Sequence, residues 1–312
     1  MQKVVLFGEC MLELKQSEPN VMRQSFAGDA YNTAVYLKRL FSGQEVSFMT
    51  ALGQDLISQQ MTDSFASEGL NNHLVFADPV KTPGIYLVQT DDTGERSFLY
   101  WRDSSAARQA MKFVDDNVIE TLSGTDVFFF SGISLAVIEP AFRPAFWNML
   151  KTLQDAGVKV IFDPNYRARL WQNADEAKGE FEKAFALTDM LLPGIDDFEH
   201  LYGLTTVEQV ISFCQPFNIA ELVIKNGPES LFIQLDGKLT EFKVEPVKKV
   251  VDTTSAGDSF NGGYIGARMA GHETEYSAKV ASAAAACVIQ HPGAIAPKEA
   301  FEDYMQSRFT NI

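Results

Sequence analysis

The chain has 312 residues, 46% of them hydrophobic, with a formal charge of −15. Mean hydropathy is −0.07 and the isoelectric point lies near 4.7. That length and apolar content suit one large α/β domain, or a domain with a small appendage, and exclude a disordered chain. So acidic a surface repels phosphate backbones and anionic membranes, which excludes nucleic acid and membrane as partners. An anionic ligand would need local positive charge in its pocket. The three cysteines, Cys10, Cys214 and Cys287, are odd in number and widely spaced. They read as free thiols of a reducing cytoplasm, not as a disulfide framework or thiolate metal site.

In chain order, "KVVLFG" is an apolar run stopped by Gly8, as expected of a strand buried on both faces and not of a leader peptide. "GDAYNTAVYLKRLFSG" has helical spacing, with Ala30, Ala34, Leu37 and Phe41 near one face and Gly43 as the stop. A strand, "VSFMTALG", and a helix, "SQQMTDSFASEG", follow. "GIYLVQTDDTGERSFLYWR" reads as a β-hairpin around Thr93-Gly94, with Phe98, Tyr100 and Arg102 on one face. From about residue 115 strands and helices alternate: "DVFFFSG", a helix near 141–156, "VKVIFD", "DEAKGEFEKAFAL", "DMLLPG", "VEQVISFC" and "AELVIK". A second hairpin turns at Asp236-Gly237, "KKVV" reads as a last strand, and two helices end the pattern, the second Ala-rich from about 276 to 290. This rhythm implies βαβ units and a mostly parallel sheet covered on both faces. Ligands of such sheets bind beyond the carboxyl ends of strands. The loops "GEC", "DPNYRAR", "KNGPES" and "DTTSAGDSF" are placed there.

The last of these carries the most chemistry. Five small residues, Thr253 to Gly257, separate Asp252 from Asp258 and lead into a predicted helix. Small residues let the backbone turn tightly and present successive N–H groups at a helix start, where phosphate or an oxyanion is held. Asp258, in the first helical turn, could take a proton from a hydroxyl attacking phosphorus. Capping alone would explain one Asp or Ser, but not five small residues followed by a carboxylate. Glycines 262, 263 and 266 are expected to let this helix pack closely on the sheet. Walker and dinucleotide glycine loops, HExxH and CxxC are absent, and the four histidines are scattered, so zinc catalysis has no support.

"DTTSAGDSF" resembles the C-terminal signature D-T-x-G-A-G-D of the ribokinase-like (PfkB-type) carbohydrate kinases, with Ser255 in place of the first glycine. "FAGDAYNTAVYL" resembles the same family's sugar-binding segment. The resemblance runs along the whole chain, and "GECMLEL", "TGERSFLYWRDSSAA", "SGISLA" and "FDPNYRARLW" are most similar to the branch acting on 2-keto-3-deoxygluconate. It implies a single α/β domain over 1–312, a three-layer αβα sandwich with a β lid from about 10–22 and 82–103. It also implies ATP-dependent phosphorylation of the 6-hydroxyl of that sugar acid.

By the same resemblance Asp258 is the base, and the amides of Ser255, Ala256 and Gly257 form the anion hole. Gly28, Asp29 and Asn32 hold sugar hydroxyls, although Asp29 can equally serve as a first-turn acid of its helix. Tyr86, Tyr100, Arg102 and Arg167 surround the substrate, with Gln290 as a further contact. A guanidinium fork matches a carboxylate, so the two arginines favour an acid over a neutral sugar. Arg108 and Arg169 are expected to be surface charges. Asn165, Lys225, Gly227 and Ser230 are placed near ATP. The family's N-x-x-E segment falls on Gly194 to Asp197, where Asn is lost and Glu has become Asp. Asp197 could still order Mg2+ through water. Asp252 and the threonines could frame a monovalent-cation site. A homo-oligomer is expected from the aromatic lid. Two other readings stand beside this one: a kinase of the same fold for another sugar such as fructose, and a sugar-sensing module without catalysis.

Overall fold

The computed structural model describes residues 2–18, 20–90 and 96–310. The elements run β1 (Lys3–Phe7), β2 (Met11–Glu18), β3 (Val21–Ala27), α1 (Asp29–Leu40), β4 (Glu45–Leu52), α2 (Leu56–Ser67), β5 (Val75–Ala77), β6 (Ile85–Thr90) and β7 (Arg96–Trp101). Next come α3 (Asp116–Ser123), β8 (Val127–Ser131), α4 (Gly132–Val137), α5 (Arg143–Asp155), β9 (Lys159–Asp163), α6 (Ala174–Ala186), β10 (Met190–Leu191), α7 (Ile195–Tyr202) and α8 (Val207–Cys214). The chain continues through β11 (Glu221–Asn226), β12 (Ser230–Leu235), β13 (Lys238–Lys243), α9 (Ala256–Met269), α10 (Thr274–Val288) and α11 (Lys298–Gln306).

Nine strands form one sheet in the order β13-β12-β11-β10-β9-β8-β1-β4-β5. It is parallel from β11 to β5, and β12 and β13 add an antiparallel edge. Alternation along β1 divides its side chains between two cores. Val5 and Phe7 join the apolar faces of α3 to α8, whereas Val4 and Leu6 join α1, α2, α9 and α10. The result is helix, sheet, helix, the expected three-layer architecture. In the first core Phe130 packs on Phe162 and Phe146 at ring separations of 4.8 and 5.2 Å. Truncating such a ring typically costs about 3–5 kcal/mol.

A second sheet, β3-β2-β6-β7, stands off the carboxyl end of the first. Both segments expected to form a lid supply strands to it. The Thr93-Gly94 turn lies outside the described residues. β3 was not foreseen: its mostly exposed residues lack the apolar run that marks the core strands. Two further expectations are corrected. "KKVV" is exposed, irregular chain, because the sheet ends at β13 and the amides of Val251 and Asp252 bond to Ile289 O instead. The α9 glycines meet helices, not strands: a Cβ on Gly262 would lie 2.7 Å from Thr33 O of α1, and one on Gly263 3.0 Å from Ala281 Cα of α10.

Candidate active site

Strand order reverses around β1, whose neighbours are β8 and β4, and the polar residues gather at that switch point. Gly28 caps α1, and a Cβ there would lie 2.0 Å from Glu9 O, so only glycine lets these two segments touch. Asp29 follows. Its Oδ2 accepts hydrogen bonds from Ser131 Oγ at the end of β8 (2.5 Å) and Asn165 Nδ2 in the loop after β9 (3.0 Å). Burial raises its pKa, the Ser131 bond opposes this, and the Asp163 charge adds to it.

Asp258 sits in the first turn of α9 and accepts from Asn32 Nδ2 at 2.8 Å. Burial pushes its carboxyl up to about 7, the Asp29 charge reinforcing this and the Asn32 bond opposing it. The residue still touches solvent. A carboxylate that is reachable and half-ionised near neutrality is suited to accept a proton from a hydroxyl.

Ser255 is the N-cap of α9 and has φ +64°, a left-handed conformation that glycine adopts freely and serine does not. This is where the family signature carries glycine. The amides of 255–257 stand at the positive end of α9, that of Ala256 also reaching Thr253 O at 3.3 Å. Lys225, near the end of β11, brings its ammonium to 3.9 Å from where a Gly257 Cβ would stand. The same ammonium contacts Asp163 at 3.4 Å and Asn261 Oδ1 at 3.2 Å, and Asn261 donates to Asp163 at 2.6 Å. Gly227 (φ +59°) makes the turn after β11, and Ser230 begins β12 facing Asn226.

Asp197 is raised to about 6 by burial and by the Asp163 charge, against the pull of Lys225. Its two oxygens accept the amides of Tyr166 (2.8 Å) and Gly194 (2.9 Å), which ties the "PNYR" loop to the start of α7. Among the described residues no cluster of three or more acidic, His or Cys groups could hold a metal by itself. Mg2+ carried on nucleotide phosphates needs only one or two carboxylates. Asp163 and Asp197, two carboxylates against one Lys225, fit that demand. Asp252 accepts from the amides of Thr254 (2.9 Å) and Gly293 (2.6 Å), joining the loop before α9 to the loop after α10.

The second sheet and its flanks carry most of the remaining predicted substrate residues. Tyr86 and Tyr100 stack at 5.6 Å, and Tyr86 donates to Glu13, which also accepts from Ser25 at 2.8 Å. Arg102, buried, forms a close ion pair with Glu9. Arg167 is exposed and donates to Tyr166 O at 2.8 Å. Arg169 is exposed as expected, yet its guanidinium lies 3.9 Å from the Tyr100 ring centroid, so it spans from core loop to lid.

The chain matches the family of pfkB carbohydrate kinases over residues 1–300. This chain belongs to that family. A 2-dehydro-3-deoxygluconokinase of Escherichia coli (strain K12) is 38% identical over 306 residues, covering 96% of this kinase and 98% of that protein. One of Haemophilus influenzae is 36% identical over 315 residues, covering 99% and 100%. A crystal structure of a ribokinase II from Escherichia coli in complex with ATP and Mg2+ superposes with a TM-score of 0.85 at 21% identity, covering 99% and 100% of the two chains.

The fold of the kinase brings Gly28, Asp29, Asn32, Asn165, Lys225, Gly257 and Asp258 together through the contacts above. It does not bring Gln290 to them: that side chain folds back onto Ala286 O at 2.8 Å. Sequence reasoning missed Glu9, Glu13, Ser131, Asp163, Asn261 and the stacking of Arg169. Ser131 and Asp163 carried a readable signal, since each is the last residue of its strand at the ligand-binding end. Asn261 had none, because its role depends on which residue of another segment lies opposite.

Proposed function

We propose that this kinase transfers the γ-phosphoryl group of ATP to the 6-hydroxyl of 2-keto-3-deoxygluconate, also called 2-dehydro-3-deoxygluconate, giving the 6-phosphate and ADP. The observation that carries the reading is the position of Asp258, joined to Asn32 of the sugar-side helix and rooted at the positive end of α9 beside Lys225. One carboxylate thus stands between a place for hydroxyls and a place for phosphate. The full-length likeness to the two 2-dehydro-3-deoxygluconokinases supports the same substrate.

In this reading Asp258 removes the proton of the 6-hydroxyl as the oxygen attacks. The amides of Ser255, Ala256 and Gly257, with Lys225, hold the charge on the transferred group. Asn165, Gly227 and Ser230 border the nucleotide. Asp197, through water, with Asp163 beside it, would hold the Mg2+ that neutralises phosphate charge when bound. Gly28, Asp29 and Asn32 bind sugar hydroxyls, Tyr86 and Tyr100 pack on the sugar, and Arg102 and Arg167 receive its carboxylate. Gln290 would contribute only after turning away from Ala286. Asp252 is assigned to a loop able to frame a monovalent cation.

No helix among the described residues is long and apolar enough to cross a membrane. Three free cysteines suit the cytoplasm, to which we assign the kinase. The outer lid face exposes Met22, Leu99 and Trp101, and a second copy is the proposed partner there. Light scattering of wild type and Trp101→Glu tests it, an unchanged mass removing the lid interface.

The deciding assay is ADP formation with 2-keto-3-deoxygluconate against fructose, ribose and adenosine. Faster turnover of a neutral substrate would overturn the acid assignment, and sugar binding without ADP formation would leave a binding module.

A further inference from the structure

Among the described residues the chain passes between core sheet and lid at four places. They are Glu9 between β1 and β2, Gly28 between β3 and α1, Gly84 before β6, and Arg102 after β7. All four meet. A Cβ on Gly28 would strike Glu9 O at 2.0 Å, and one on Gly84 would lie 2.8 Å from Glu9 Oε1 and 3.1 Å from Arg102 Cβ. The Glu9–Arg102 ion pair sits at the centre of this crossing, with Glu9 2% and Arg102 7% exposed.

The pair makes one close contact, Arg102 Nη2 to Glu9 Oε2. Glu9 Oε1 is buried and has no hydrogen-bond partner, so the pair holds through one oxygen only. Buried polar atoms left in that state call for a further partner. A guanidinium forks to a carboxylate through two parallel N–H bonds, and Glu9 does not supply that fork. The substrate reading above, on which this inference rests, brings a second carboxylate to the same guanidinium.

We propose that Glu9 is the internal counter-ion of Arg102, from which the carboxylate of the sugar acid must take the guanidinium. Glu9 neutralises Arg102 in the empty cleft and holds the lid roots together. An arriving carboxylate makes the aligned fork and loosens the Glu9 contact, so recognition of the acid and repositioning of the lid are one event. A neutral sugar cannot displace Glu9 in this way. Glu9 is therefore a positioning residue that sets selectivity through Arg102.

The test compares wild type with Glu9→Gln by thermal shift and calorimetry, using 2-keto-3-deoxygluconate, fructose and Mg·ATP separately. The empty variant melts lower, since a buried guanidinium loses its counter-ion. Removing the competitor frees the binding-competent arginine, so the acid binds about five- to tenfold more tightly. The shifts from fructose and Mg·ATP stay as in wild type. A merely structural Glu9 would weaken acid binding along with stability, so equal or weaker acid affinity in Glu9→Gln overturns the proposal. If Glu9→Gln does not fold, Glu9→Asp withdraws the charge by one methylene and gives the same direction with smaller size. Failure of the substrate reading looks different: wild type itself then shows no response to the acid, and the competition falls with it.

Discussion

Asn32 Nδ2 donates to Asp258 Oδ2 at 2.8 Å, joining the first turns of α1 and α9 across 226 residues of chain. The bond favours the charged carboxylate, whereas burial and the Asp29 charge favour the neutral one. The charge state of Asp258 is thus balanced by a residue of α1.

If Asp258 is the base, Asp258→Ala lowers kcat by about 10²–10⁴-fold. Calorimetry should still find Mg·ATP and the sugar acid bound, because most contacts proposed for both come from other side chains and amides. Near-wild-type turnover would remove Asp258 from the chemistry.

The pH profile should carry an acidic limb near 7, where the raised Asp258 carboxyl protonates. Asn32→Ala withdraws a hydrogen bond from the charged form, so the limb moves to higher pH. Stability runs the opposite way. A carboxyl whose folded pKa is raised favours the fold below its unfolded value near 4, and that contribution is lost as pH rises through about 7. Asp258→Asn should therefore raise Tm more at pH 8 than at pH 5. An equal gain at both would contradict the raised pKa.

Ser255→Gly relieves a left-handed serine at φ +64°. It should stabilise the protein by about 1 kcal/mol, a Tm rise of about 2 °C for a chain of this size. A fall in Tm would mean that the serine side chain contributes more than its backbone costs.

The arginines should separate by role. Arg102→Gln or Arg167→Gln removes a charged hydrogen-bond partner and should raise KM for the acid by about 10–100-fold, with little effect on a neutral sugar. Arg169→Ala removes an exposed stacking contact on Tyr100 and should raise KM by no more than about fivefold. Equal losses for acid and neutral substrates in the first two variants would remove them from carboxylate recognition.

What the sequence determined by itself was local in origin. Apolar runs and helical spacing reveal strands and helices because burial imposes those periods along a few residues. "DTTSAGDSF" marks the start of α9 because small residues and a first-turn carboxylate act within one turn. The assignment of the arginines of "YWR" and "PNYR" to an acid rested on the family resemblance, which places them at the substrate, and not on local pattern. The tertiary structure decided the rest, because those contacts join segments whose separation in sequence says nothing of their distance in space. Ser131 and Asn165 meet on Asp29 because β8 and β9 end side by side beyond α1. "KKVV" is strand-like in composition but has no sheet edge to join. Arg169 looked like a surface charge until the lid placed Tyr100 under it. Glu9 looked like one residue of a loop until the four lid crossings converged on its pairing with Arg102.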